Sequence, residues 1–148
     1  MYLLDTNILS AAAPTKKVHS IELIDWMDRA SQFLFLSVIT AAEVEDGIAK
    51  NAREGATRKA AALREWWEAV EHLYSSRILP LDVGAARIAG RLMDKARSRG
   101  FEPGFADVAI AAIAAANGLL VLSRNVRHFE AMGVTVLNPY DALPCIPA

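Results

Sequence analysis

Residues 105–125 read FADVAIAAIAAANGLLVLSRN, and this stretch decides the fold. From Phe105 to Leu122 its one charged residue is Asp107. A helix that is apolar on every side is buried on every side. About eighteen such residues reach the lower limit for crossing a bilayer. Asn117-Gly118 argues against a crossing, because the pair reads as a helix C-cap, after which Leu119–Leu122 reads as a buried strand. A central helix followed by a central strand is therefore predicted. A lone carboxylate in such a helix is costly unless compensated. Asp107 needs a partner, and a cation is the expected one, although the amides of the helix start also favour negative charge.

Downstream, Ser123-Arg124-Asn125 leaves the strand, with Asn125 placed as a helix N-cap at the sheet's carboxyl edge. His128 reads as a packing or hydrogen-bonding residue rather than a ligand. Val134–Leu137 reads as a last strand, closed by Asn138-Pro139. Upstream, Gly100–Gly104 is a turn that delivers Asp107. Before it, Asp82 caps a helix running to Arg99, with Ala85, Ile88, Ala89, Leu92, Met93 and Ala96 on its apolar face. Arg87, Arg91 and Lys95 recur every four residues on another face and form the best basic patch in the chain. A solvated charged face explains them better than phosphate contact does. Arg77–Leu81 is a short strand that Pro80 confines to an edge.

At the other end, Tyr2-Leu3-Leu4 is a short buried strand ending on Asp5-Thr6-Asn7. These three are turn formers. They also place Asp5 where open α/β sheets build sites. Val18–Ala30 is predicted as a surface helix with Val18, Ile21, Ile24 and Met27 on its buried stripe. Phe33–Leu36 is a second strand. Thr40 and Glu43 after it have the form of a capping box; alternatively Glu43 points into the cleft with Asp5. Gly47 hints at close packing. Thr57–Tyr74 carries Leu63, Trp66, Trp67, Val70, Leu73 and Tyr74 at helical spacing, a stripe for the core and in part for an oligomer interface. Strands and helices alternate throughout, so the expected fold is α/β with a central parallel sheet covered on both faces.

Composition is consistent with this. The chain has 148 residues, 53% of them apolar, enough for one domain with a real core, and its net charge is −1. So even a balance excludes a constitutive polyanion binder; nucleic-acid contact needs a local basic patch. The single Cys145 excludes an internal disulfide and a cysteine zinc cluster. No secretory signal, repeat or linker is visible, so a single cytoplasmic domain over 1–148 is expected, with a loose tail after about residue 139.

Asp5, Glu43, Asp107 and Asn125 are all predicted near one sheet edge. Three carboxylates brought together raise one another's pKa, and a divalent cation removes that penalty. Oxygen ligands suit magnesium or manganese rather than zinc. Such ions organise phosphodiester hydrolysis. No zinc-protease histidine pair, glycine-flanked serine or phosphate-binding glycine loop competes. An aspartate-nucleophile phosphatase shares the sheet-edge aspartate, but it wants a second aspartate where Asn7 stands and a lysine for which Arg124 is a poor substitute. A non-catalytic module binding RNA or protein is the other alternative, with Asn125 as its best support.

The motifs resemble those of PIN-domain ribonucleases, especially the VapC-like toxins of bacterial toxin–antitoxin pairs. LLDTNILS at 3–10, SVITAAEVEDGI at 37–48, FADVAIAAIA at 105–114 and VLSRNVRHFEAMGVTVLNP at 121–139 match in order. The resemblance implies a three-layer α/β/α sandwich and a Mg2+-dependent endoribonuclease (Mn2+ also serving). It further implies a homodimer and a small cognate antitoxin that inserts a peptide across the cleft. Asp5, Glu43 and Asp107 match the acidic metal positions, and Thr6 and Asn7 the motif beside the first aspartate. Asn125 falls where many members have a fourth aspartate, which implies one well-held ion.

Overall fold

A computed structural model describes residues 1–148. Five short strands form one parallel sheet: β1 (Tyr2–Leu4), β2 (Leu34–Ser37), β3 (Ile78–Leu79), β4 (Leu120–Leu122) and β5 (Val136–Leu137). Their order is β3-β2-β1-β4-β5. The first strand is therefore the middle one, pairing Leu3 with Phe35 on one side and with Val121 on the other. The chain winds outward from β1 to β3, then returns to lay β4 on β1's free side. Strand order thus reverses between β1 and β4, and a crevice opens at their carboxyl ends.

Side chains alternate across the sheet, as strand geometry requires. Leu3 and Val121 point into one core with Phe35 packed against it, whereas Tyr2, Leu4, Leu34, Leu36 and Leu122 point into the other. The second core is covered by helices α2 (Ile21–Arg29), α3 (Val38–Arg53) and α4 (Thr57–Tyr74), through residues such as Trp26, Ile48 and Trp67. The first is covered by α5 (Val83–Ser98), α6 (Phe105–Ala116) and α7 (Val126–Ala131), through Ala89, Ile110 and Phe129. The one-turn helix α1 (Thr6–Leu9) follows β1 directly. The result is the expected α/β/α sandwich. No helix is long and apolar enough to cross a membrane.

The decisive stretch folds as read. Val108 to Ala114 are fully buried, Gly118 takes φ +64 just past the helix end, and the strand that follows lies in the sheet's interior. Its two ends differ: Phe105 at the helix start is 60% exposed, and Ala115 and Ala116 in the last turn are exposed as well. Asp82 caps α5 as predicted, its Oδ1 accepting from the Ala85 amide at 2.8 Å. The basic row Arg87, Arg91 and Lys95 is exposed along α5. Pro80 follows β3, which is an edge strand.

Four local expectations are corrected. The helix predicted from Val18 begins at Ile21 and buries Leu23, Trp26 and Met27, while Val18 and Ile21 face solvent. Trp26, the largest apolar side chain there, sets the buried face. The cap of α3 is Ser37, whose Oγ accepts from the Thr40 amide at 3.1 Å, so Thr40 lies inside the helix and forms no box with Glu43. At Gly47 an added Cβ would meet nothing within 4 Å, so close packing does not explain that glycine. The segment after Pro139, expected to be loose, is tied back. Tyr2 Oη donates to the Cys145 carbonyl at 2.7 Å, and buried Trp26 Nε1 donates to the Pro144 carbonyl at 2.8 Å. Tyr2 and Trp26 also meet edge to face at 6.0 Å, so both anchors belong to one aromatic pair.

Candidate active site

Asp5 stands where β1 stops and α1 starts, in the crevice at the reversal of strand order. Its amide continues the sheet by donating to Leu122 O at 2.9 Å. Its carbonyl accepts from Ile8 and Leu9, opening α1. The side chain does not cap that helix and is left for other work. It is 4% exposed. A buried carboxylate needs donors, and the chain supplies them from both strands. Ser123 Oγ, just past β4, donates to Asp5 Oδ2 at 2.6 Å, and Asn7 Nδ2 donates to the same oxygen at 2.9 Å.

Those two donors are themselves held. Asn7 Nδ2 also reaches Ser123 Oγ at 3.3 Å, and Asn7 Oδ1 accepts from the Arg124 amide at 3.2 Å. Ser123 Oγ accepts from the Asn125 amide at 2.9 Å. A second hydroxyl cluster stands beside α1: Thr6 Oγ1 and Ser37 Oγ each contact Thr40 Oγ1, at 3.1 and 3.3 Å. Thr40 and Ser37 are fully buried. The loops after β1, β2 and β4 are therefore joined by side-chain hydrogen bonds.

Burial pushes the Asp5 carboxyl up to about 6. The Ser123 hydrogen bond opposes that rise, the charge of Asp107 adds to it, the Thr6 amide lowers it, and the charge of Glu43 raises it again. Asp5, Asp107 and Glu43 thus share an electrostatic neighbourhood. They do not converge as a cage: no three acidic or histidine side chains stand close enough to hold one ion together. Glu43 is exposed on α3. Asp107 lies in the first turn of α6 with its side chain 18% exposed.

The partner of Asp107 in the structure is a side chain. His128 Nδ1, on α7, lies 2.6 Å from Asp107 Oδ2. The expected cation therefore has a competitor that sequence spacing did not reveal. Asn125 occupies the N-cap position of α7, but its side chain makes no capping bond; only its amide joins the network. The exposed side chain is left at the crevice rim.

Sequence reasoning missed Ser123 and Thr40 as members of this network; it read His128 as a packing or hydrogen-bonding residue, which it is, without naming Asp107 as its partner. Ser123 carried a faint signal, as a small polar residue ending a fully apolar strand run. His128 carried none, since its role depends on α7 packing beside α6.

The donor set can be tested against a divalent cation on its chemistry. Asp5, Glu43 and Asp107 offer hard carboxylate oxygens, of the kind magnesium and manganese take. Burial raises Asp5 most, and the repulsion from Asp107 and Glu43 adds to it; a cation would relieve both penalties. The residues fit the group in kind, while their side chains stand apart.

The sandwich with an acidic crevice at the reversal of strand order is the arrangement of a PIN domain, and the PIN-domain family model matches residues 2–134. The chain belongs to the PIN-domain family. Among its relatives, plasmid stability protein StbB of Pseudomonas syringae pv. tomato is 38% identical over 146 residues, covering 96% of this chain and all of that protein. VapC ribonuclease Y4jK of Sinorhizobium fredii is 34% identical over 145 residues, covering 95% of this chain and 99% of the relative. Toxin FitB of Neisseria gonorrhoeae is 34% identical over 142 residues, 95% and 99% of the two chains. The crystal structure of FitAcB from the same organism superposes with a TM-score of 0.82 at 34% identity, again over 95% and 99% of the chains.

Proposed function

We propose that this chain is the endoribonuclease toxin of a toxin–antitoxin pair, acting on RNA in the cytoplasm with Mg2+ or Mn2+. The observation that carries the reading is the Asp5 carboxylate: pinned by Ser123 and Asn7, and raised by its burial with two further acids adding to the rise. Near-full-length identity to a VapC ribonuclease and to toxin FitB supports the activity and the module. Likeness to the FitAcB complex supports a cognate antitoxin as partner.

In this reading Asp5, Glu43 and Asp107 are the metal carboxylates, and Asn125 is a neutral fourth group at the rim. The bound cation would supply Lewis-acid stabilisation of the phosphate oxygens and a more acidic water. The residues of the chain prepare the site. Ser123 and Asn7 both donate to Oδ2, which fixes the plane of the Asp5 carboxylate. His128 fixes that of Asp107. Preset carboxylates need little reorganisation when charge develops on the phosphate. To hold one ion, Glu43, exposed on α3, would have to swing inward to join Asp5 and Asp107, with Asn125 as a neutral amide beside them. A homodimer belongs to the same proposal, with the exposed Leu73 of α4 as a contact candidate.

The test is cleavage of a labelled single-stranded RNA by purified protein, with magnesium, with chelator, and with Asp5→Asn. Parent activity that chelator removes and manganese restores, together with an inert but folded Asp5→Asn, is expected. An Asp5→Asn protein that cuts as fast as the parent would sink the reading. Trapping of an aspartyl-phosphate from a small phosphate ester would move the assignment to a phosphatase.

A further inference from the structure

A cavity of about 620 Å³ opens against α7, walled by Arg99, Phe101, Arg127, His128, Glu130 and Ala131. Its size is that of a site for a small organic group such as a nucleotide. It adjoins Asp107, because the His128 ring that forms part of its wall also contacts that carboxylate. Four features define what it can hold.

Arg127 is exposed on α7 and forms no ion pair, although arginines 29, 64 and 97 each pair with a carboxylate. Glu130, the one acid on the wall, is three residues on and forms no ion pair either. Arg99 crosses from the end of α5, and its Nη1 donates to the carbonyls of Glu130 and Ala131 at 3.3 and 3.1 Å. That anchors its guanidinium at the cavity wall. Phe101 and His128 lie with ring centroids 5.5 Å apart and planes tilted by 51°, leaving a partly buried aromatic surface next to the two cations. A cation with no partner beside an aromatic pair suits a phosphate joined to a base, the combination that single-stranded nucleic acid presents.

We propose that this cavity is a nucleotide subsite that holds the residue of the RNA strand adjoining the scissile phosphate. Arg127 contacts the neighbouring backbone phosphate, and Phe101 with the His128 ring forms the platform for the base. This rests on the ribonuclease reading and adds to it a place where the strand is gripped. A carboxylate-bearing ligand would satisfy Arg127 alone, but it would leave the aromatic wall unused.

The experiment measures binding rather than cutting. Full-length Asp5→Asn protein, inert toward RNA in the proposed reading, is titrated into a fluorescent single-stranded RNA of mixed sequence at several salt concentrations. Adding Arg127→Gln is expected to weaken binding roughly tenfold and to lower the slope of log affinity on log salt by about one. Adding Phe101→Leu is expected to weaken it at least about fivefold with the salt slope unchanged, since stacking and not charge is lost. Arg58→Gln, at the start of α4 on the opposite face of the sheet, is expected to leave affinity alone. Binding by Arg127→Gln within twofold of its parent, with an unchanged slope, overturns the subsite even if Phe101→Leu does not fold. Protein with Asp5 intact that cuts RNA, and whose Arg127→Gln variant binds and cuts equally well, rejects the subsite alone. Protein that neither binds nor cuts RNA rejects the ribonuclease reading with it.

Discussion

His128 Nδ1 sits 2.6 Å from Asp107 Oδ2, tying the first turn of α6 to α7 across 21 residues of sequence. The contact gives the lone carboxylate of an otherwise apolar helix a neighbour that fixes its rotation. Partners of this kind, standing behind a metal-binding carboxylate, are worth about ten- to a hundredfold in metal affinity or activity. His128→Ala is therefore expected to weaken manganese binding about tenfold or more. Calorimetry of the purified protein, without RNA, measures it. Unchanged manganese affinity would reduce His128 to a packing residue.

The burial of Asp5 predicts a pH dependence of stability. Its carboxyl is raised from an ordinary 3.8 to about 6, so the folded state holds a proton that the unfolded chain releases between those values. Stability from this group is greatest below 3.8, falls as pH rises to about 6, and is flat beyond. The gap amounts to about 3 kcal/mol at neutral pH. In metal-free buffer, Asp5→Asn is expected to be more stable than the parent by up to about 3 kcal/mol at pH 7, with the advantage vanishing by about pH 4. Chemical denaturation at the two pH values decides it, and equal midpoints at pH 7 count against the assignment.

Asn125 offers the reverse experiment. A carboxylate introduced there adds negative charge at the rim of a crevice whose Asp5 is already raised by Asp107 and Glu43. Asn125→Asp is expected to lower the thermal midpoint of the metal-free protein and to add a second, weaker manganese-binding event. Calorimetric stoichiometry reads this directly; a single event in both proteins would show that the position lies outside the ion's reach.

The C-terminal segment predicts a stability loss. Removing residues 140–148 strips the acceptors from Tyr2 Oη and Trp26 Nε1, and Trp26 is 2% exposed. A buried donor without a partner costs about 1–3 kcal/mol. The truncated chain is expected to lose at least about that much in denaturant unfolding. A truncation with the parent's midpoint would return the segment to the loose tail that its sequence suggests.

Much of the fold was legible because its signals are local. The apolar run at 105–122, the Asn117-Gly118 cap and the short apolar strand runs each carry their meaning within a few residues. What failed depended on distant packing. Val18 and Ile21 fit a helical stripe as well as Leu23 and Trp26 do, and only the core's geometry chooses between them. Pro144 and Cys145 look like a loose end until Trp26 and Tyr2 meet their carbonyls. The candidate acids were found by position at strand and helix ends. Ser123, Thr40 and His128 were not, because a hydroxyl or imidazole acquires its role from a partner tens of residues away. The cage closing around an ion was inferred from charge, and the side chains stand near one another without closing.

The lateral neighbour of the first strand is made late. β1 leaves the ribosome at the outset, yet Ser123, which holds Asp5, is 118 positions behind it. At the roughly 5–20 residues per second of synthesis, a growing chain passes several seconds with Asp5 unsupported and the β4 side of its crevice missing. The candidate site is thus incomplete until nearly the whole chain has been made, and whatever chemistry it performs waits on that late strand.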